Sequence, residues 1–204
     1  MKLYEFKRTR SYKCRWLIKE LGAPCEFIEI NLIEGEHMKP EFLAINPWGK
    51  VPALVDGDFK LFEASAICIY LADKFSAQGL IPAAGTQTRA VCNKWLFFMA
   101  NELECHLWSM EKNTWGYRED KRSKTAIESA EYDFKKAIKV IDAEFKNNKS
   151  DYLIDNKFGV ADISLSYLLR WARGRQLLAD VPDLDAYLNR QIEREYYPRE
   201  IFEG

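Results

Sequence analysis

The stretch NPWGKVPALVDGDFKLFEASAICIYLADKF, residues 46–75, decides the fold. Its Asp-Gly pair lies between two apolar segments, which predicts a hairpin of two antiparallel strands. The apolar positions of ASAICIYLADKF then predict a helix. Pro52 stands at the entrance of the first strand. Because proline has no N–H and disrupts a central ladder, a proline at this place is expected to have a special task.

Two interpretations of Pro52 are open from the residues alone. The bond before a proline is the only peptide bond that adopts the cis form at low cost, about 0.5–1 kcal/mol. A cis Val51–Pro52 bond would turn the N–H and C=O of Val51 outward, where they could pair with an extended peptide ligand. The other interpretation is a trans proline that caps an edge strand.

The residues before this stretch supply the rest of a small sheet. KLYEF reads as a strand, and YKCRWLIKELG reads as a helix that Gly22 ends. CEFIEINLI alternates in the manner of a second strand. A crossover of this length favours a parallel pair. The order β-α-β followed by β-β-α predicts a mixed four-stranded sheet with helices on both faces.

A change of pattern separates a second domain. Residues 76–87 are rich in small residues with Gly and Pro, which indicates a linker. From residue 88 onward the apolar spacing is helical throughout. The sequence therefore predicts an α/β domain over residues 1–77 and an all-α domain over residues 86–204.

Composition excludes several functions. The 204 residues carry a net charge of -1, which gives no reason to expect nucleic acid or an anionic membrane as partner. Five cysteines without a C-x-x-C pair and two histidines give no metal site. No apolar run approaches the ~18 residues of a membrane span. The N-terminus lacks the apolar region of a signal peptide, so we expect a cytoplasmic protein.

Residues 46–75 closely resemble the glutathione S-transferase family. RTRSYKCRWLIKELGAPCEFIEINL is similar to the family's first helix and second strand, and FGVADISLSYL to the turn that starts its central helix. The resemblance implies a thioredoxin-like domain followed by a helical one, in the bacterial-type branch that uses Ser or Thr. It further implies a homodimer and a detoxification enzyme that joins the thiolate of its co-substrate glutathione to small electrophiles, without a metal.

The resemblance also assigns the glutathione site. In the family, a valine followed by a cis-proline pairs with the cysteinyl part of glutathione, and the next helix start holds the γ-glutamyl part. The matching residues are Lys50, Val51, Pro52, Glu63, Ala64 and Ser65. Glu63 can accept from an ammonium group, and a helix N-terminus favours a carboxylate. The family's Glu-Ser pair reads Glu63-Ala64 here, so its hydroxyl is lost or moved to Ser65.

The residue that activates the thiol is expected in RTRS. The family places a Tyr, Ser or Cys at the end of strand one or the start of helix one, and Thr9 and Ser11 match this place. A hydroxyl donor would favour the thiolate, and Arg10 and Arg15 would add positive charge. The alternative role of Thr9 or Ser11 is a helix N-cap. Cys14 is expected to pack as a small hydrophobe, so thiol-disulfide exchange is disfavoured.

The electrophile is expected to bind against aromatic side chains. Tyr12, Trp108 and Trp115 are the candidates for a partly apolar pocket wall, although tryptophans at helical spacing also occur in cores. Two other functions remain open because fold alone does not fix function. One is a non-catalytic binding or regulatory relative. The other is a glutathione-dependent peroxidase or isomerase that uses the same site.

Overall fold

The computed structural model describes residues 1–148 and 150–199. They form two compact units, Met1–Ala83 together with the C-terminal segment from Ile192, and Ala84–Gln191. The predicted all-α domain over residues 86–204 includes Lys149 and residues 200–204, which lie outside the described residues.

The first unit is a four-stranded mixed sheet with helices. Its elements are β1 (Lys2–Glu5), α1 (Ser11–Leu21), β2 (Glu26–Glu29), α2 (Pro40–Leu43), β3 (Ala53–Asp56), β4 (Phe59–Phe62) and α3 (Ala64–Lys74). The strand order is β2-β1-β3-β4. The β1–β2 pair is parallel, and the β1–β3 and β3–β4 pairs are antiparallel. The predicted mixed sheet, parallel pair and hairpin are therefore confirmed.

Local chemistry sets the ends of these elements. Gly57 has a φ of +62° in the turn between β3 and β4, a conformation that favours glycine. Gly22 likewise ends α1 with a φ of +61°, and its N–H reaches the carbonyls at the end of that helix. β2 is shorter than the alternation predicts because the side chain of Asn31 accepts the N–H groups of Ile33 and Glu34. This Asx turn changes the direction of the chain, so β2 ends early.

The core of the first unit lies beneath α1 and α3. Leu3 on β1 and Leu54 on β3 are fully buried, as are Leu17 on α1 and Ile67 on α3. α1 packs directly against α3. The N-termini of both helices are therefore held by one apolar core, and these N-termini carry the predicted ligand-binding residues.

The second unit is helical, as predicted. Residues 87–116 form one continuous helical run: α4 (Gln87–Phe98), a π-helical segment (Met99–Glu104), α5 (Cys105–Glu111) and a second π-helical segment (Lys112–Gly116). It is followed by α6 (Lys124–Asn148), α7 (Val160–Gly174) and α8 (Pro182–Ile192). Such π turns are rare and frequently mark functional places in helices.

A buried carboxylate fixes the start of α7. Asp162 accepts the N–H groups of Leu153 at 2.8 Å and Gly159 at 3.0 Å. The hydroxyl of Tyr187 donates to the same carboxylate at 2.7 Å. Burial raises the pKa of Asp162 to about 6, although these three donors favour the charged form. The side chain joins a loop, the α7 N-terminus and α8.

Candidate functional site

The turn ahead of β3 presents backbone groups. The Val51–Pro52 bond is cis, as the first of the two interpretations expects. Both residues are buried, whereas Lys50 is exposed with its Nζ 4.7 Å from the ring centre of Trp48. Outside helices and strands, no backbone hydrogen bond among the described residues involves Val51. The backbone N–H and C=O of Val51 therefore have no backbone partner among these bonds.

Asn46 holds this turn in place, and sequence reasoning missed it. The side chain is almost fully buried, donates to the carbonyl of Lys50 at 2.6 Å and accepts the N–H of Trp48 at 3.0 Å. Gly49 is required inside the turn because its φ is +61° and a Cβ there would lie 2.9 Å from Sδ of Met38. The Asn-Pro pair at residues 46–47 was a turn signal that could have identified Asn46.

Glu63 occupies an unusual backbone conformation directly ahead of α3. Its φ of 75° and ψ of 110° are rare for a residue other than glycine, and such strain is concentrated at functional sites. The side chain is exposed. The first N–H groups of α3, from Ala64 onward, have no intrahelical acceptor. Ala64 is buried and Ser65 is half-buried. A carboxylate and free helix N–H groups thus lie side by side, suited to an ammonium and a carboxylate of one ligand.

Thr9 and Ser11 share one chain of hydrogen bonds. The hydroxyl of Thr9 lies 2.6 Å from the carbonyl of Phe6 and 2.9 Å from Oγ of Ser11. Since the carbonyl can only accept, Thr9 donates to Phe6 and Ser11 donates to Thr9. The N–H of Phe6 donates to Oγ of Ser11 at 3.4 Å, which completes this chain of hydrogen bonds. Ser11 is fully buried, whereas Thr9 is partly exposed, which favours Thr9 of the two as the hydroxyl that a ligand could contact.

Neither hydroxyl occupies the N-cap of α1. Arg10 stands at that position and no side chain caps it. Thr9, the residue before the N-cap, accepts the N–H of Ser11 at 3.3 Å through its hydroxyl oxygen. This hydrogen bond also stabilises the turn ahead of α1. The alternative that Thr9 or Ser11 is the N-cap residue is therefore wrong. Thr9 nevertheless accepts one N–H group at the start of the helix.

Arg15 does not add free positive charge to the site. It forms a two-pronged ion pair with the buried Glu5, through Nε at 3.0 Å and through Nη2. Its guanidinium also lies 4.0 Å from the ring centre of Phe27. The carboxylate compensates its charge, which removes Arg15 from the expected electrostatic activation of a thiol.

The C-terminal segment covers the outer face of α1. Tyr12, Trp16 and Glu20 lie at helical spacing on that face. Tyr197 packs edge-on against Tyr12 and Trp16, with ring centres 5.6 Å and 5.1 Å away. Arg194 forms two hydrogen bonds of 2.9 Å and 3.0 Å with Glu20. Tyr12 is fully buried here, so a role in a pocket wall requires movement of this segment and stays a prediction.

Cys14 packs as predicted. It is fully buried, its thiol lies 3.6 Å from the carbonyl of Ala64, and Sγ of Cys68 lies 3.9 Å away. Burial raises the pKa of Cys14 well above its ordinary value, with the neighbouring Cys68 adding to the effect. A thiol that stays protonated is a poor nucleophile, which agrees with the expectation that exchange chemistry is disfavoured.

The second unit brings the predicted tryptophans together. Trp108 is half-buried on α5, and Trp115 is 60% exposed on the second π-helical segment. Their rings are close to perpendicular, with centres 6.1 Å apart and an interplanar angle of 73°. The exposure of Trp115 argues against the interpretation that both are core residues. They form an accessible aromatic surface on the helical unit.

The fold and these two helix starts define a class of protein, the glutathione transferases. Residues 1–73 match the family description "Glutathione S-transferase, N-terminal domain", and residues 94–195 match "Glutathione S-transferase, C-terminal domain". Glutathione S-transferase F7 of Arabidopsis thaliana is 32% identical over 187 residues, 84% of this chain and 84% of its own. This chain belongs to the glutathione S-transferase family.

Solved structures agree with this assignment. A sphingomonad glutathione S-transferase complexed with glutathione is 28% identical, with a TM-score of 0.84 over 99% of this chain and 98% of its own. Ure2p in complex with glutathione is 18% identical and shows the fold alone, with a TM-score of 0.88 over 97% of this chain and 96% of its own. The predicted thioredoxin-like fold and the predicted enzyme, a glutathione transferase, are confirmed. The regulatory and peroxidase or isomerase alternatives are not favoured.

Within residues 1–148 and 150–199, no helix combines the length and apolar character needed to cross a membrane. In the same part of the chain, no group of three or more His, Cys, Asp or Glu side chains is arranged to hold a metal ion.

Proposed function

We propose that the first unit binds glutathione between the turn ahead of β3 and the N-terminus of α3. The observation that carries the proposal is the conformation of Glu63, exposed and strained directly ahead of free helix N–H groups. Glu63 accepts the ammonium of the γ-glutamyl group, and the N–H groups from Ala64 and Ser65 receive its carboxylate. The backbone of Val51, ahead of Pro52, pairs with the cysteinyl part, and Lys50 supplies a cation for the remaining carboxylate.

The chemical step transfers the glutathione sulfur to an electrophile. The thiol gives its proton to water, the thiolate attacks the electrophilic carbon, and an S–C bond forms. The bond from that carbon to its leaving group breaks, and the electron pair departs with the leaving group. Thr9 donates a hydrogen bond to the sulfur and favours the thiolate, while Ser11 orients Thr9. On the helical unit, the aromatic surface of Trp108 and Trp115 binds the electrophile.

We further propose that the protein is a cytoplasmic homodimer. Apolar side chains on α4, Val91 at 40% and Phe97 at 64% exposure, support an association surface on the helical unit. Sedimentation should show a particle of twice the chain mass of 23.8 kDa at micromolar concentrations. A particle of the single-chain mass across that range would refute the dimer.

Calorimetry with glutathione tests the binding site. Wild type should bind, and Glu63→Ala should weaken binding about tenfold or more, because a charged hydrogen bond contributes about 1.5–3 kcal/mol. Glu128→Ala is the matched control, since Glu128 is an exposed carboxylate on α6 with the same charge. Equal affinities of Glu63→Ala and Glu128→Ala would place the ammonium elsewhere. No binding by wild type at millimolar glutathione would refute the proposed function.

A further inference from the structure

One carboxylate in the helical unit organises three of the surrounding side chains. Glu111, the last residue of α5, accepts the indole N–H of Trp115 at 2.5 Å through Oε2. Its other oxygen, Oε1, accepts the indole N–H of Trp171 at 2.8 Å. The guanidinium of Arg175 donates to Oε1 at 3.1 Å. Trp171 and Arg175 belong to the α7 region, so this carboxylate connects two segments of the unit.

The spacing of the aromatic residues follows from the helix. Trp108, Glu111 and Trp115 are separated by three and four residues and therefore lie on one face of the helical run. The π-helical segment begins directly after Glu111 and carries Trp115. Trp115 is held a second time, because its carbonyl accepts from Nη2 of Arg122 at 3.3 Å. An exposed tryptophan is thus fixed at both its ring and its backbone.

The carboxylate is itself well supported. The side chains of Glu111 and Arg175 are only 16% and 23% exposed. The ion pair compensates the negative charge in a partly dry setting, and charge-assisted hydrogen bonds are stronger than neutral ones. With their N–H groups occupied by Glu111, Trp115 and Trp171 offer chiefly their apolar faces to a ligand. Trp108 adds a third indole, perpendicular to that of Trp115.

We propose that Glu111 is a positioning residue that fixes Trp115 and Trp171 as a preformed aromatic wall for planar electrophiles. This inference rests on the proposed function. A wall that is ordered before binding avoids the cost of ordering side chains on binding, which corresponds to about a two- to tenfold loss of affinity per side chain. Glu111 touches neither the sulfur nor the electrophile. Its effect is therefore on KM for planar electrophiles, with little effect on small ones.

Glu111→Gln is the decisive variant. The glutamine amide can accept at its oxygen only, and its NH₂ group faces a donor, so at least one indole N–H loses its acceptor. Glu131→Gln is the matched control. It makes the same change of charge on α6 and removes the ion pair between Glu131 and Lys135, whose Nζ lies 2.6 Å from Oε1 of Glu131. No indole N–H takes part in this ion pair.

Kinetics separates positioning from general damage. With chlorodinitrobenzene as the planar electrophile, Glu111→Gln should raise KM about five- to tenfold. With iodomethane, KM and kcat should stay within twofold of wild type, as should KM for glutathione. Glu131→Gln should resemble wild type with both electrophiles. An equal loss with both electrophiles would mean that Glu111 only maintains the structure, and no loss with either would also overturn the proposal.

Nuclear magnetic resonance of the six indole N–H groups gives a readout that does not need catalysis. The signals of Trp115 and Trp171, assigned by single Trp→Phe substitutions, should move in Glu111→Gln and stay in place in Glu131→Gln. Dinitrobenzene, which has no leaving group, should perturb the signals of Trp108, Trp115 and Trp171. Failure of wild type to bind glutathione would refute the proposed function, whereas these indole shifts would still support the wall. Unmoved indole signals in an active enzyme would refute the wall alone.

Discussion

Replacement of Thr9 by valine tests the activation of the thiol. Valine keeps the shape of threonine but has no hydroxyl, so it cannot donate to the sulfur of bound glutathione. In the structure Thr9 donates to the carbonyl of Phe6 at 2.6 Å. To reach the sulfur, the hydroxyl must give up that neutral hydrogen bond, a loss of about 1 kcal/mol. A hydrogen bond to the charged thiolate contributes about 1.5–3 kcal/mol.

The difference gives the expected shift. A net gain of about 0.5–2 kcal/mol for the charged form corresponds to a lowering of the thiol pKa by about one unit. Thr9→Val should therefore raise the pKa of bound glutathione by about one unit relative to wild type. Below the wild-type pKa the rate should fall about tenfold, because fewer sulfurs are ionised. Well above both pKa values the rates should converge.

The assay is the ultraviolet absorbance of the thiolate against pH at saturating glutathione. Thr9→Ser is the matched control, since it keeps the hydroxyl and should titrate close to wild type. Ser11→Ala should lower stability by about 1–3 kcal/mol, because the N–H of Phe6 loses its acceptor, with a smaller shift of the titration. A full shift in Ser11→Ala with none in Thr9→Val would make Ser11 the donor. Unmoved titrations in both would mean that no hydroxyl here activates the sulfur.

Three further predictions concern other parts of the molecule. Ala64→Ser restores the hydroxyl that the family carries at the helix start, and calorimetry should show glutathione binding tightened about threefold or more, since a new donor meets a carboxylate; weaker binding would contradict it. Asp162→Asn removes a carboxyl whose pKa is raised to about 6 in the folded state. Because the folded wild type holds this proton more tightly than the unfolded chain does, wild-type stability relative to the variant should fall by about 2–3 kcal/mol as pH rises from about 4 to about 7; urea unfolding at a series of pH values measures this, and a rise would refute it. Tyr197→Ala should expose Tyr12 and lower the free energy of unfolding by about 3–5 kcal/mol; a loss below about 1 kcal/mol would show that the C-terminal segment does not hold α1.

The sequence predicted those features that depend on neighbouring residues. The Asp-Gly hairpin, the end of α1 at Gly22 and the parallel pair of β1 and β2 follow from turn chemistry, helix capping and connection length. Each of these signals lies within a few residues or a single crossover. They were sufficient for the mixed sheet, whereas the residues of the candidate site were assigned by the resemblance to the family.

The features that sequence reasoning missed depend on contacts between distant residues. Glu111 and Trp171 are 60 residues apart, and Glu20 and Arg194 are 174 apart. Periodicity records which face of a helix is apolar, but it does not record which distant side chain meets that face. The contact of Tyr197 with Tyr12 was therefore not predicted.

The proposed glutathione site relies on backbone groups more than on side chains. Val51 offers its N–H and C=O, and Ala64 offers an N–H where the family's serine would add a hydroxyl. Recognition of this kind depends on where the turns lie, because a backbone group cannot adjust as a side chain can. Asn46 fixes one turn through two hydrogen bonds, and the other leads into α3 through the strained backbone of Glu63. Substitutions that move these turns should therefore weaken binding more than substitutions that remove a single exposed contact.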